Sequence, residues 1–184
     1  MKVECASIPD VLVLEPEVFG DARGFFYESY NRKTFAQATG LNVDFVQDNH
    51  SRSSKNVLRG LHYQIRQPQG KLVRVTAGEI WDVAVDLRRA SPSFGRWTAT
   101  MLDGASHRML WIPPGFAHGF VVLSEQAEVL YKSTDYYAPE HERTLLWNDA
   151  ALAIPWPLGD PAVQPTLTDK DRRGKPLAEA ETYP

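Results

Sequence analysis

The sequence predicts an all-β fold, a sandwich or barrel with jelly rolls among the choices, on two observations. Ten short runs rich in Val, Leu, Phe, Tyr and Trp are separated by Gly, Pro, Asn, Asp or Ser, the mark of strands joined by turns. Only Lys33–Thr39 reads as helix in the first two-thirds of the chain.

In chain order the predicted strands are Val11–Leu14, Phe25–Tyr30, Phe45–Asn49, Val57–Gln64, Lys71–Thr76, Ile80–Leu87, Trp97–Leu102, Met109–Ile112, Phe120–Leu123 and Val129–Ser133. The helix takes Asn31 as its cap and Gly40 as its stop. Lys71–Thr76 and Ile80–Leu87, joined by Ala77-Gly78-Glu79, predict a hairpin with glycine at the turn. Residues 139–184 hold 7 of the 13 prolines. Proline fixes φ and removes a donor, so this part is expected to be irregular chain laid over the β core and anchored by Trp147, Trp156 and Leu158. A length of 184 residues fits one domain, residues 1–184. It suffices to bury a core without a disulfide or metal staple.

The charge is mixed: 20 Lys+Arg against 23 Asp+Glu give a net −3. That argues against nucleic acid as the main partner. Thirteen of the 20 basic residues are Arg, the side chain suited to bidentate phosphate recognition. The lone Cys5 excludes a disulfide framework. No apolar run approaches a membrane span or a signal peptide, so a cytoplasmic protein is expected.

Five histidines (His50, His62, His107, His118 and His141) include no His-x-His or His-x3-His pair, so no metal site is expected. Gly-x-Gly-x-x-Gly, P-loop and Gly-x-Ser-x-Gly patterns are absent as well. What remains is polar side chains on strands. Arg59 and His62 lie in one apolar run, three apart, and strict alternation sends them to opposite faces. A bulge at Gly60 would bring them together. Lys71 begins a strand, and Tyr131, Tyr136 and Tyr137 fall within seven residues. The tyrosines are equally read as a core wall with hydroxyls at its rim. His, Tyr and Lys together supply the base, acid and cation needed to remove a proton next to a carbonyl.

Several blocks, collinear from about Ile8 to about Gly174, resemble the dTDP-4-dehydrorhamnose 3,5-epimerase family. They are Arg23-Gly24-Phe25-Phe26-Tyr27-Glu28, Gln47-Asp48-Asn49-His50-Ser51, Leu58-Arg59-Gly60-Leu61-His62-Tyr63-Gln64, Gln69-Gly70-Lys71-Leu72-Val73-Arg74-Val75, Ile80–Arg88, Pro113–Phe120 and Tyr131–Glu142. Ser133 stands where the family often has Cys, and Trp81 where Phe is usual. The resemblance implies a cupin-type jelly-roll barrel, a homodimer, no metal and no cofactor. The substrate it implies is dTDP-4-dehydro-6-deoxy-D-glucose, inverted at C3 and C5. By matching motif His62 is the base, Tyr131 the acid, and Lys71 the cation near the C4 oxygen. Asp171 of the Lys170-Asp171 pair orients the histidine, with Asp169 as the alternative. Arg23, Glu28, Gln47, Asn49, Arg59, His118, Glu142 and Lys170 line the nucleotide-sugar site, and Tyr137 stacks on thymine. The rivals are an epimerase acting at C3 alone, a 3,4-ketoisomerase, a catalytically silent sugar-nucleotide binding module and a storage-type cupin.

Overall fold

The computed structural model describes residues 1–160 and 162–184. Thirteen strands carry the fold: β1 (Lys2–Cys5), β2 (Leu12–Glu15), β3 (Val18–Asp21), β4 (Gly24–Tyr27), β5 (Gln47–Ser54), β6 (Leu58–Gln64), β7 (Lys71–Ala77), β8 (Glu79–Asp86), β9 (Trp97–Asp103), β10 (Met109–Ile112), β11 (Phe116–Val122), β12 (Gln126–Ser133) and β13 (Glu142–Thr144). Two α-helices, α1 (Arg32–Thr39) and α2 (Asp169–Arg172), and one 3-10 turn (Pro139–His141) complete it. One antiparallel sheet has the order β1-β2-β10-β7-β12-β5, the other β13-β6-β11-β8-β9, and β3 and β4 pair by themselves. The sheets lie face to face in jelly-roll order and are not hydrogen-bonded into a closed barrel.

Alternation along the strands builds three apolar layers. Val73, Val75 and Val129 from one sheet meet Ile80, Phe116 and Phe120 from the other in the central core. The outer face of the five-stranded sheet packs Leu61, Val83 and Val85 against Leu152 and Ile154 of the C-terminal segment. That segment is largely irregular, as its prolines predict. Its tryptophans are tied down, with Trp156 Nε1–H donating to the Trp147 carbonyl at 2.8 Å. On the outer face of the six-stranded sheet, α1 seats Phe35 against Trp111 and Met109. The helix signals hold: Asn31 accepts from the amides of Lys33 and Thr34, and Gly40 ends the helix at φ 73°.

The predicted hairpin at Gly78 does not form. β7 and β8 belong to different sheets, and the chain crosses between them at Gly78. The crossing is tight: a Cβ there would lie 2.0 Å from the Gln126 carbonyl oxygen, and φ is +77°. A glycine between two strands therefore marks a corner here, because each strand has a better apolar partner elsewhere. Other boundaries move too. The run Phe25–Tyr30 ends as a strand at Tyr27 and pairs with Val18–Asp21 in an exposed ribbon. β5 runs Gln47–Ser54 instead of Phe45–Asn49, and β11 begins at Phe116. β1, β13 and α2 carry too few apolar residues to be seen in sequence. None of the described helices is long and apolar enough to cross a membrane.

Candidate active site

A cavity of about 420 Å³ opens between the sheets. Gln47 and Asn49 of β5, Lys71 of β7 and Tyr131 of β12 line it from the six-stranded sheet. Arg59 and His62 of β6, His118 of β11 and Glu142 of β13 line it from the five-stranded sheet. Gln69, Tyr137 from the loop after β12, and Thr168, Lys170 and Asp171 around α2 also line it.

Arg59 and His62 share this cavity because β6 is irregular where Gly60 predicts it. The register against β11 shifts between His118 and Phe120. Gly60 has φ +120°, and a Cβ on it would lie 2.5 Å from the Gly119 Cα. Two glycines let the strands touch at this point, which turns the side chains of Arg59 and His62 the same way.

His62 Nε2 lies 2.6 Å from Asp171 Oδ1. The Asp171 side chain is 2% exposed and takes further bonds from the Thr168 hydroxyl at 2.6 Å and the Gly60 amide at 3.3 Å. Burial works to raise the Asp171 pKa, but the bonds from His62 and Thr168 win and hold it at about 2. An ionised carboxylate only accepts, so Nε2 carries the proton and Nδ1 keeps the lone pair. Asp169, the alternative, is exposed and faces Arg173 at 3.5 Å. What places Asp171 is the capping box of α2, in which Thr168 and Asp171 bond each other's backbone.

Burial pushes His62 below the ordinary histidine value; Asp171 opposes this, and Lys170 and Lys71 add to it. Burial also brings Lys71 down to about 8, against the pull of Asp82 and Glu142. Its ammonium stands 5.9 Å from the centre of the Tyr131 ring. Tyr131 is raised above the usual phenol value by burial, with Arg59 opposing. At neutral pH the site thus holds a neutral imidazole, an ammonium and an intact phenol.

Around these groups, Glu142 accepts from Tyr137 Oη at 3.1 Å and from Lys170 Nζ at 2.9 Å. Burial works to raise Glu142, and Lys170 outweighs it to leave the carboxyl low. Gln47 donates to Asn49 Oδ1 at 3.0 Å, while Asn49 Nδ2 is buried without a partner. Among the described residues no three His, Cys, Asp or Glu side chains form a metal-binding group.

Arg23 and Glu28 stand apart. Arg23, on the exposed ribbon, pairs with Asp21 at 2.5 Å. Glu28 accepts from Asn31 Nδ2 at 2.9 Å and Thr34 Oγ1 at 3.1 Å at the start of α1. Neither lines the cavity of this chain. Three residues outside the sequence reading matter for the site. Asp82, fully buried, receives His118 Nε2 at 2.8 Å. Ser53 accepts from Arg59 Nε at 2.9 Å and so fixes the guanidinium at one corner. Thr168 caps Asp171. An acid inside the apolar run Ile80-Trp81-Asp82-Val83-Ala84-Val85 was a readable signal for the first of these.

A family model described as dTDP-4-dehydrorhamnose 3,5-epimerase matches residues 5–179. A dTDP-4-dehydrorhamnose 3,5-epimerase from Pseudomonas aeruginosa is 62% identical over 184 residues, covering 100% of both chains. A Legionella pneumophila dTDP-6-deoxy-D-glucose-3,5-epimerase, solved in complex with dTDP-4-keto-L-rhamnose, superposes with a TM-score of 0.94 at 50% identity, covering 98% of this chain and 94% of that one. A 3'-monoepimerase from Streptomyces bikiniensis, in complex with dTDP-quinovose, reaches 0.87 at 32% identity, covering 97% and 88%. With a cavity that joins a His–Asp pair, a half-buried lysine and a facing tyrosine, and with relatives matched end to end, this chain belongs to the dTDP-4-dehydrorhamnose 3,5-epimerase family.

Proposed function

We propose that this enzyme converts dTDP-4-dehydro-6-deoxy-D-glucose to dTDP-4-dehydro-L-rhamnose by inverting C3 and C5, with His62 as base and Tyr131 as acid. Both carbons flank the C4 ketone. Loss of either proton gives an enolate whose charge collects on the C4 oxygen, and return of a proton to the other face inverts the centre. The overall change is redox-neutral.

The observation that carries this reading is the placing of His62 and Tyr131 on opposite sheets around one cavity. A ring bound between them offers one face to Nδ1 of His62 and the other to the phenol. Asp171 fixes the imidazole tautomer and stabilises the imidazolium that forms. Lys71 supplies positive charge to the developing oxyanion, where one donor is worth about 3–4 kcal/mol. Arg59 and Lys170 supply cations for the diphosphate, Gln47, Asn49, His118 and Glu142 line the rest of the nucleotide-sugar site, and Tyr137 stacks on the thymine.

Arg23 and Glu28 fit this scheme in a dimer. They sit on and beside a ribbon whose Phe19, Phe25 and Phe26 are 58%, 64% and 72% exposed. An apolar ribbon so exposed is covered when it lies against a second copy, which brings Arg23 toward that copy's nucleotide site.

Proton NMR in D2O with the purified substrate tests the reaction. Solvent deuterium at both C3 and C5, with inversion, is expected; label at C3 alone would select the monoepimerase alternative. His62→Ala should abolish wash-in at both positions. Tyr131→Phe should keep wash-in but lose inversion at C5, and normal inversion of both centres by that variant would remove Tyr131 as the acid.

A further inference from the structure

Tyr137 is carried by the loop between β12 and β13, and three glutamine side chains from elsewhere hold that loop's backbone. Gln47 accepts from the Tyr137 amide at 2.9 Å. Gln64 donates to the Tyr136 carbonyl at 3.2 Å and accepts from the Ala138 amide at 2.9 Å. Gln69 donates to the Asp135 carbonyl at 2.9 Å. A primary amide presents the same donor and acceptor as a peptide group, so Gln64 pairs with the loop as a neighbouring strand would.

Gln64 is 3% exposed, and it also donates to the Gln67 carbonyl at 2.8 Å. Tyr136 and Tyr137, in contrast, are 62% and 53% exposed, so core packing does not hold their rings. Apart from the bond of Tyr137 Oη to Glu142 at 3.1 Å, the backbone beneath them does. Gln64 is also two residues beyond His62 on the same strand, which ties the loop to the strand that carries the base.

We infer that Gln64 and Gln69 are positioning residues that hold Tyr137 at a fixed distance from His62. The pair thereby keeps the nucleobase platform in register with the proposed base, both of which line one cavity. Neither side chain needs to touch the reacting atoms for this. The inference rests on the assignment of Tyr137 to the nucleobase under the proposed function.

The test compares Gln64→Leu, Gln69→Leu, Tyr137→Ala and the double variant Gln64→Leu/Tyr137→Ala. The readouts are kcat and KM for the nucleotide sugar, and Kd for dTDP by calorimetry. Tyr137→Ala should raise KM and Kd about tenfold or more, the worth of one base stack. Gln64→Leu and Gln69→Leu should raise both about fivefold to tenfold with kcat within about threefold, the signature of lost binding common to ground and transition states. In the Tyr137→Ala background Gln64→Leu should add less than about twofold, because its effect passes through the missing ring. Gln64→Glu keeps the acceptor for Ala138 but loses both donors, and should fall between wild type and Gln64→Leu. If Gln64→Leu does not fold, Gln69→Leu and the double variant Gln69→Leu/Tyr137→Ala take its place, and because Gln69 also lines the cavity only the double variant separates positioning from a direct contact. An unchanged KM in Tyr137→Ala would overturn the nucleobase assignment. A raised KM there, with multiplicative effects in the double variant or with KM unchanged in the glutamine variants, would overturn the positioning role and leave that assignment standing.

Discussion

His62 and Lys71 share a cavity, and burial lowers the proton affinity of both, yet the catalytic consequences are opposite. In the proposed mechanism the base, His62, works as neutral imidazole. Lowering its pKa from the ordinary 6.5 extends the working range toward acid. In the same proposal Lys71 works as an ammonium, and a pKa of about 8 means that its charge is lost as pH rises through that value. The profile of kcat/KM should therefore be a bell, with its acid limb below 6.5 and its alkaline limb near 8. Lys71→Arg should move the alkaline limb upward by more than about one unit, since guanidinium stays charged. Wash-in rates measured from pH 5 to pH 10 check this. An alkaline limb that stays in place in Lys71→Arg would assign it to another group.

At the scale of elements, the site hangs on two local irregularities. One is the Gly60–Gly119 contact, which turns Arg59 and His62 to one face. Gly60→Ala puts a methyl group 2.5 Å from the Gly119 Cα at a φ of +120°, and should cost about 3 kcal/mol or more in thermal unfolding. A change within about 0.5 kcal/mol would show that the strands part easily there. The other is the capping box that delivers Asp171.

These elements also explain what the sequence could and could not reveal. α1 was legible because Asn31 and Gly40 are strong, local signals. The bulge at Gly60 was legible as a possibility, since a glycine inside an apolar strand has few other uses. β5 was misplaced because its sequence, QDNHSRSS, is polar on both faces. Its inward residues line the cleft, so hydrophobic alternation has nothing to mark there. α2 has only 4 residues, and its value lies in one carboxylate placed 109 residues along the chain from its imidazole. No periodicity reports such a contact. Asp171 came from the family motif, and the geometry then separates it from Asp169.

For the whole molecule, the proposed dimer turns on the exposed ribbon. Burying Phe25 and Phe26 against a second copy would bring Arg23 into that copy's site. Phe25→Ser/Phe26→Ser should shift sedimentation from dimer to monomer and raise KM at least about tenfold, because each site then loses a cation that pairs with phosphate. A dimer that persists in that variant with normal KM would place the interface elsewhere.

The corner at Gly78 reaches beyond the site. Because β7 and β8 go to different sheets, β7 must wait for β10 and β12, while β8 can pair with β9 directly and waits for β11 on its other side. Most pairings join segments that are distant along the chain, so few hairpins are available to start the process. Closing such long loops comes before any reward in contacts, which places folding in the range of milliseconds to seconds rather than microseconds. A half-made molecule would expose bare strand edges throughout that interval. Speed of assembly is what this crossing costs the protein, and the two-walled cavity is what it makes possible.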